Sequence, residues 1–162
     1  MNGGRGYRRN VCGVIADARE ARVLVFRRAD LLLGAQVWQF PQGGLEPDEA
    51  PLAGLLRELR EEIGTADVTV LRAAPHPIRY EFPADVLARV ALADPAKAGY
   101  IGQEQNWFLV RLNGGTEAIH FDHQPAEFNA FRWVTPADAV TLVVEFKTAA
   151  YRAGLRALGL LP

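Results

Sequence analysis

The chain has 162 residues, 49% of them hydrophobic, and a formal net charge of -1. That length predicts one domain, spanning 1–162, with a sizeable core. The near balance of charge excludes the broadly basic surface with which a protein holds long nucleic acid by charge alone. The single cysteine, Cys12, has no partner for an internal disulfide and sits in an apolar run over residues 11–16, which predicts a buried structural thiol in a reducing compartment.

No apolar stretch approaches the roughly 20 residues of a membrane span. The first ten residues are polar and basic, without the apolar centre of a signal peptide. A soluble, cytoplasmic protein with no membrane partner is therefore expected, and no internal repeat interrupts the chain.

In chain order, β-branched runs over 11–15 and 23–26, separated by polar residues 17–22, predict a hairpin. A third strand is expected over 38–40, stopped by Pro41. Asp48 is placed as the N-cap of a helix over 49–63, with Pro51 in its first turn and Gly64 at its stop. Leu52, Leu55, Leu56, Leu59 and Ile63 form its predicted buried stripe, with the glutamates on another side facing the preceding glycine loop. Further strands are expected over 68–72, 78–82, 107–112 and 131–134, a helical turn over 136–140 and a closing helix over 145–158. Residues 85–105, Ala-rich and then Gly- and Gln-rich, fit no element and are placed at the mouth of a site.

The helix carries the chemistry. Glu58, Glu61 and Glu62 stand at i, i+3 and i+4, on one side of the helix, where like charges repel. Three carboxylates kept so close predict a cation, and oxygen ligands select a hard divalent ion such as magnesium, which shares one or two carboxylates with substrate phosphates. Gln42 precedes Gly43 and Gly44, and bare backbone there admits close approach of a metal or phosphate, with the Gly43 carbonyl a further candidate ligand. Arg57 is expected to orient a glutamate through a charge-assisted pair. Hydrolysis of a phosphoanhydride needs charge neutralised on phosphoryl oxygens, a water held in line and an acceptor for its proton, all within reach of such a cluster. A solvated helix face paired with Arg57 and Arg60 is the plain alternative. His120 and His123 are close in sequence but lack the further ligands of a zinc site.

Gly43, five residues, Glu49, seven residues, Arg57-Glu58-Leu59, one residue, Glu61-Glu62, one residue and Gly64 together reproduce the Nudix box; Thr65 departs from it, standing where a bulky aliphatic residue is usual. The strings YRRNV over 7–11, WQFPQGG over 38–44, Arg79-Tyr80, IGQEQNWF over 101–108 and FRWV over 131–134 extend the likeness across most of the chain. The sequence resembles the bacterial RNA pyrophosphohydrolase branch of the Nudix hydrolases, also described as dinucleoside polyphosphate hydrolases.

The resemblance implies a Nudix α/β/α sandwich around a mixed sheet with a catalytic loop-helix-loop. It also implies magnesium, with manganese as a substitute, and hydrolysis of phosphoanhydride bonds at the 5′ triphosphate or diphosphate end of messenger RNA, leaving a 5′ monophosphate and promoting RNA decay. Metal ligands then fall on Gly43, Glu58, Glu61, Glu62 and a distal Glu127, which alone reads as a surface loop residue. Arg57 joins these glutamates in the catalytic set, and Glu61 or Glu127 is the base. Arg8, Arg28, Gln42, Tyr80, Gln105, Val144, Phe146 and Lys147 fall where substrate is bound. Arg9, Val37 and Glu145 depart from the branch's pattern and bear on nucleotide preference. A free dinucleoside polyphosphate is the near alternative substrate. A non-catalytic RNA or nucleotide binding module is the alternative of another class, although this chain keeps every carboxylate.

Overall fold

The computed structural model describes residues 6–30 and 37–162. Two sheets organise it. The first runs β4-β1-β7-β5, from β1 (Gly6–Ile15), β4 (Gln42–Gly44), β5 (Val68–Ala73) and β7 (Tyr100–Leu112), with β6 (Ile78–Glu81) also paired to β7. The β1–β7 pair is parallel and the remaining pairs are antiparallel, so the sheet is mixed. The second, antiparallel sheet runs β3-β2-β8, from β2 (Val23–Arg28), β3 (Trp38–Gln39) and β8 (Phe128–Val134).

Alternation along β1 explains the layering. Val11 and Ile15 face one core with Leu55, Leu59 and Ile63 of helix α1 (Pro51–Ile63), while Cys12 and Val14 face another with Trp107, Tyr151 and Leu155. The second core is closed by α3 (Pro136–Leu142) and α4 (Thr148–Ala157). A strand covered on both faces reads as a continuous apolar run, and residues 11–16 are such a run. The α/β/α sandwich is thus present, and Cys12 is buried as expected. At its base Phe40 stacks on Tyr151 at 4.7 Å, and Trp107 meets Tyr151 edge-on at 5.4 Å.

Several expectations need correction. The runs over 11–15 and 23–26 are not a paired hairpin: β1 and β2 join different sheets and meet only at the bridge between Ala16 and Val23. Val23 and Val25 enter one core while Leu24 and Phe26 enter the other, so β2 needs cover on both faces and builds its own sheet. Asp48 does not cap α1. It lies in the left-handed region at φ 63°, and the helix starts at Pro51 with Ala50 as an N-cap lacking any side-chain bond. Leu52 is 41% exposed, outside the buried stripe, which pairs Leu55, Leu59 and Ile63 with Gly54, Glu58 and Glu62. Gly64 ends the helix at φ 80° as foreseen.

The stretch that fitted no element contains α2 (Ala84–Ala93), a 3-10 turn (Pro95–Lys97) and the first half of β7. Asp85 and Arg89 pair at i,i+4 on α2, and Asp94 accepts from the Ala96 N–H to start the turn. Likewise β8 starts at Phe128 rather than 131, and the closing segment is a 3-10 turn (Glu145–Lys147) followed by α4.

Candidate active site

Helical period decides which glutamates face inward. Glu58 and Glu62, one turn apart on α1, are buried at 9% and 5% exposure, whereas Glu61 swings toward solvent. Glu62 Oε2 accepts from the Gln42 backbone N–H at 3.2 Å, which ties the helix to edge strand β4. A Cβ on Gly43 would stand 2.0 Å from the Glu58 carboxyl carbon, so only glycine lets Glu58 lie against this backbone.

Arg57 holds the cluster. Its Nε and Nη2 donate to the two oxygens of Glu49 at 2.9 and 2.8 Å, Nη1 donates to Glu58 Oε1 at 2.9 Å, and Nη2 also reaches the Gly44 carbonyl at 2.9 Å. This fork fixes the loop and one carboxylate together. Arg57 depresses the Glu49 carboxyl to about 2, with the Glu46 backbone adding to the effect.

The inner carboxylates move the other way. Burial, then the charges of Glu127 and Glu58, push the Glu62 carboxyl well above its usual range. Burial also raises Glu58, against the pull of Arg57, with Glu61 and Glu127 adding to the rise. Glu127 comes from the segment before β8, where its carbonyl accepts from the Ala29 N–H at 2.8 Å. Buried like charges that raise one another fit a bound divalent cation, whose field would reverse both shifts. Among the described residues no three such side chains close a ready-made cage. An open site completed by water and substrate oxygens is the arrangement magnesium favours.

Cations and rings line the same cavity of about 340 Å³ as these carboxylates. The Arg8 guanidinium lies on Gly44, where a Cβ would come within 2.0 Å of its Nη2. Arg28 is held by Asp30. Lys147 is 3% exposed, its Nζ 5.9 Å from the ring centroids of both Tyr80 and Phe146. Burial, then the charge of Arg28, push this lysine down to about 8. Phe82 and Phe146 meet at 6.0 Å and 76°, and Val86 and Val90 of α2 continue the apolar wall. The residues that resisted assignment therefore do stand at the mouth of the site.

Of the residues singled out in the sequence, Arg8, Arg28, Gln42, Gly43, Glu58, Glu62, Glu127, Phe146 and Lys147 line this one cavity. Arg57 stands behind the wall and Glu61 lies outside it. Three expected substrate contacts do not line this cavity. Gln105 is fully buried within the sheet, Tyr80 is packed behind Phe82 and Phe146, and Val144 lines an adjoining recess with Glu145. Large or amide side chains at the inner end of a strand fill the wall rather than surface on it. Asn10, Phe82, Gln103 and the α2 residues also line the cavity. Asn10 and Gln103 lay within strings already singled out, and the pairing of Asp85 with Arg89 was the available signal for α2.

The family model of the NUDIX domain matches residues 6–155. The chain belongs to the Nudix hydrolase family. Its Nudix box is the β4 loop and α1, and this enzyme is a pyrophosphohydrolase. An RNA pyrophosphohydrolase from Acidiphilium cryptum is 42% identical over 147 residues, covering 90% of this chain and 85% of the relative. One from Halorhodospira halophila is 42% identical over 156 residues, covering 94% and 80%. Nudix hydrolase 26, chloroplastic, from Arabidopsis thaliana is 37% identical over 150 residues, covering 91% and 67%. Among solved structures, the E. coli dihydroneopterin triphosphate pyrophosphohydrolase superposes with a TM-score of 0.64 at 20% identity, covering 91% of this chain and 96% of that one. At that identity the likeness establishes the fold. Nudix hydrolases use divalent metal ions, and among the described residues no helix is long and apolar enough to cross a membrane.

Proposed function

We propose that this Nudix hydrolase is an RNA 5′ pyrophosphohydrolase that takes 5′ triphosphorylated or diphosphorylated RNA and leaves a 5′ monophosphate. The observation that carries the reading is one cavity lined both by carboxylates and by Arg8, Arg28, Lys147 and two phenylalanines. Such a cavity receives a polyphosphate joined to an unpaired base, because aromatic faces stack bases and cations take phosphate oxygens. Relatives named RNA pyrophosphohydrolase at 42% identity support the same substrate. We take residues 1–162 as one Nudix domain.

Glu58, Glu62 and Glu127, with the Gly43 carbonyl and Glu61 at the margin, are the residues to hold magnesium, or manganese in its place. A divalent ion there neutralises phosphoryl charge and lowers the pKa of a bound water. Arg57 keeps Glu58 aimed inward by occupying its outer oxygen. Arg8 and Arg28 draw the phosphate chain across the cavity, and Phe82 and Phe146 seat a base. Water adds to a phosphorus of the anhydride, the bridging P–O bond breaks, and the water's proton passes to a glutamate, Glu61 or Glu127.

Purified protein with magnesium should release pyrophosphate from 5′ triphosphorylated RNA at a far higher kcat/KM than it cleaves diadenosine tetraphosphate. The reverse preference would transfer the site to dinucleoside polyphosphates. Activity on neither would leave a binding module.

A further inference from the structure

Asn10, Gln42 and Gln105 form a buried amide cluster at the inner end of the cavity. Asn10 and Gln105 are register partners on the parallel strands β1 and β7, so their side chains lie side by side on one face. Gln42, on β4, pairs with Cys12, two residues along β1 from Asn10. The Gln105 Nε2 donates to Asn10 Oδ1 at 3.0 Å and to Gln42 Oε1 at 2.8 Å. Gln105 is 0% exposed and absent from the cavity wall, whereas Asn10 and Gln42 are both on it.

Hydrogen-bond accounting fixes the direction of this cluster. As it stands, one buried oxygen, Gln105 Oε1, lacks a partner. With the Gln105 amide reversed, two N–H groups would be buried without acceptors, and an orphaned donor is rarer and more costly than an under-used carbonyl. Reversal would also turn the carbonyl ends of Asn10 and Gln42 toward a cavity already holding Glu58 and Glu62. Because Gln105 occupies both carbonyls, the NH2 ends of Asn10 and Gln42 are what remains, that of Asn10 for the cavity and that of Gln42 shared between the cavity and the neighbouring Tyr80 hydroxyl.

We infer that Gln105 is a positioning residue that locks Asn10 and Gln42 with their amide N–H groups toward the substrate, making the two a neutral donor pair for the anionic phosphate chain. This rests on the phosphoanhydride reading of the site and adds Asn10 to the substrate contacts. Neutral donors suit this place, since a further cation beside the carboxylates would compete with the metal.

Two near-isosteric variants test it. In Gln105→Glu the central group only accepts, which forces both amides to reverse. Asn10→Asp keeps the acceptor toward Gln105 and deletes the outward donor. Each should raise KM for 5′ triphosphorylated RNA roughly tenfold or more while kcat stays within about twofold, the pattern of a contact made equally in ground and transition states. Each should also weaken binding of inorganic triphosphate by a similar factor in calorimetry. Unchanged KM and unchanged triphosphate affinity in folded variants, or a fall in kcat alone, would overturn the assignment. Should Gln105→Glu fail to fold, Asn10→Asp decides the matter alone. Wild-type protein run in parallel separates the two levels: if it leaves triphosphorylated RNA intact the RNA reading falls, while calorimetry still accepts or rejects the amide pair.

Discussion

The two walls of the cavity are built in opposite ways. The carboxylate wall takes Glu58 and Glu62 from one helix and Glu127 from the segment before β8, and within the helix and the loop before it Glu49, Arg57, Glu58 and Glu62 are fixed relative to one another by helical period and one guanidinium fork. The rest of the wall gathers Arg8 from β1, Arg28 from β2, Phe82 and Val86 around the start of α2, and Lys147 from the turn before α4. Two of the carboxylates thus come from a local unit, and the cations and rings from long-range packing. A local unit keeps its geometry when neighbours change, whereas a dispersed wall is adjusted one residue at a time.

The sharpest way to break this contrast is a single change on the local side. Glu62→Gln should lower kcat by roughly a thousandfold with KM little altered, because it removes a charge needed at the reacting centre. The same variant without metal should melt about 2–4 °C higher, since a buried like charge beside Glu127 and Glu58 is gone. A Glu62→Gln enzyme with full activity would dissolve the distinction between the walls. On the dispersed side, Phe146→Ala should raise KM for RNA about tenfold, the scale of one base stacked on a ring, and leave kcat near wild type in steady-state kinetics.

A smaller effect is expected from pH. Lys147 titrates near 8 in the folded protein, below the ordinary value of about 10.4. Its charge is present below pH 8 and lost above, so KM should climb several-fold between about pH 7 and 9. The Lys147→Arg enzyme should hold KM flat over that range. For stability the sign is opposite: the folded state binds fewer protons between about 8 and 10.4, so this group's destabilisation is full below pH 8 and fades as pH rises. The smallest effect belongs to Leu52→Gln, which should shift stability by at most about 0.5 kcal/mol in denaturant melts because the side chain faces water.

The local wall was also the legible one. A spacing of charged residues and glycines survives as a linear pattern, so the box residues were named from sequence and found together. Asp48 misled because the loop turns at φ 63° and Glu49 takes up the helix-entry role through Arg57. Leu52 misled because the α1 stripe is shared with two buried glutamates and is narrower than its leucines imply. The beginning of β7 was hidden because Gln103 and Gln105 serve the cavity and its wall, which makes a buried strand look polar. Helix α2 was hidden for the converse reason: Val86 and Val90 line the cavity rather than a core, while Leu92 is 85% exposed. Arg8, Arg28 and Lys147 were located by likeness to a family, since nothing local marks an arginine in a strand as facing phosphate.

The parallel pairing of β1 with β7 has a consequence for how the enzyme is made. Arg8 and Gln103 are register partners, and the cavity is completed only by Phe146 and Lys147. A ribosome must therefore release the chain past Leu112 before β1, paired early with β4, gains its second neighbour. Until then α1 and its glutamates exist without the residues that close the cavity over them.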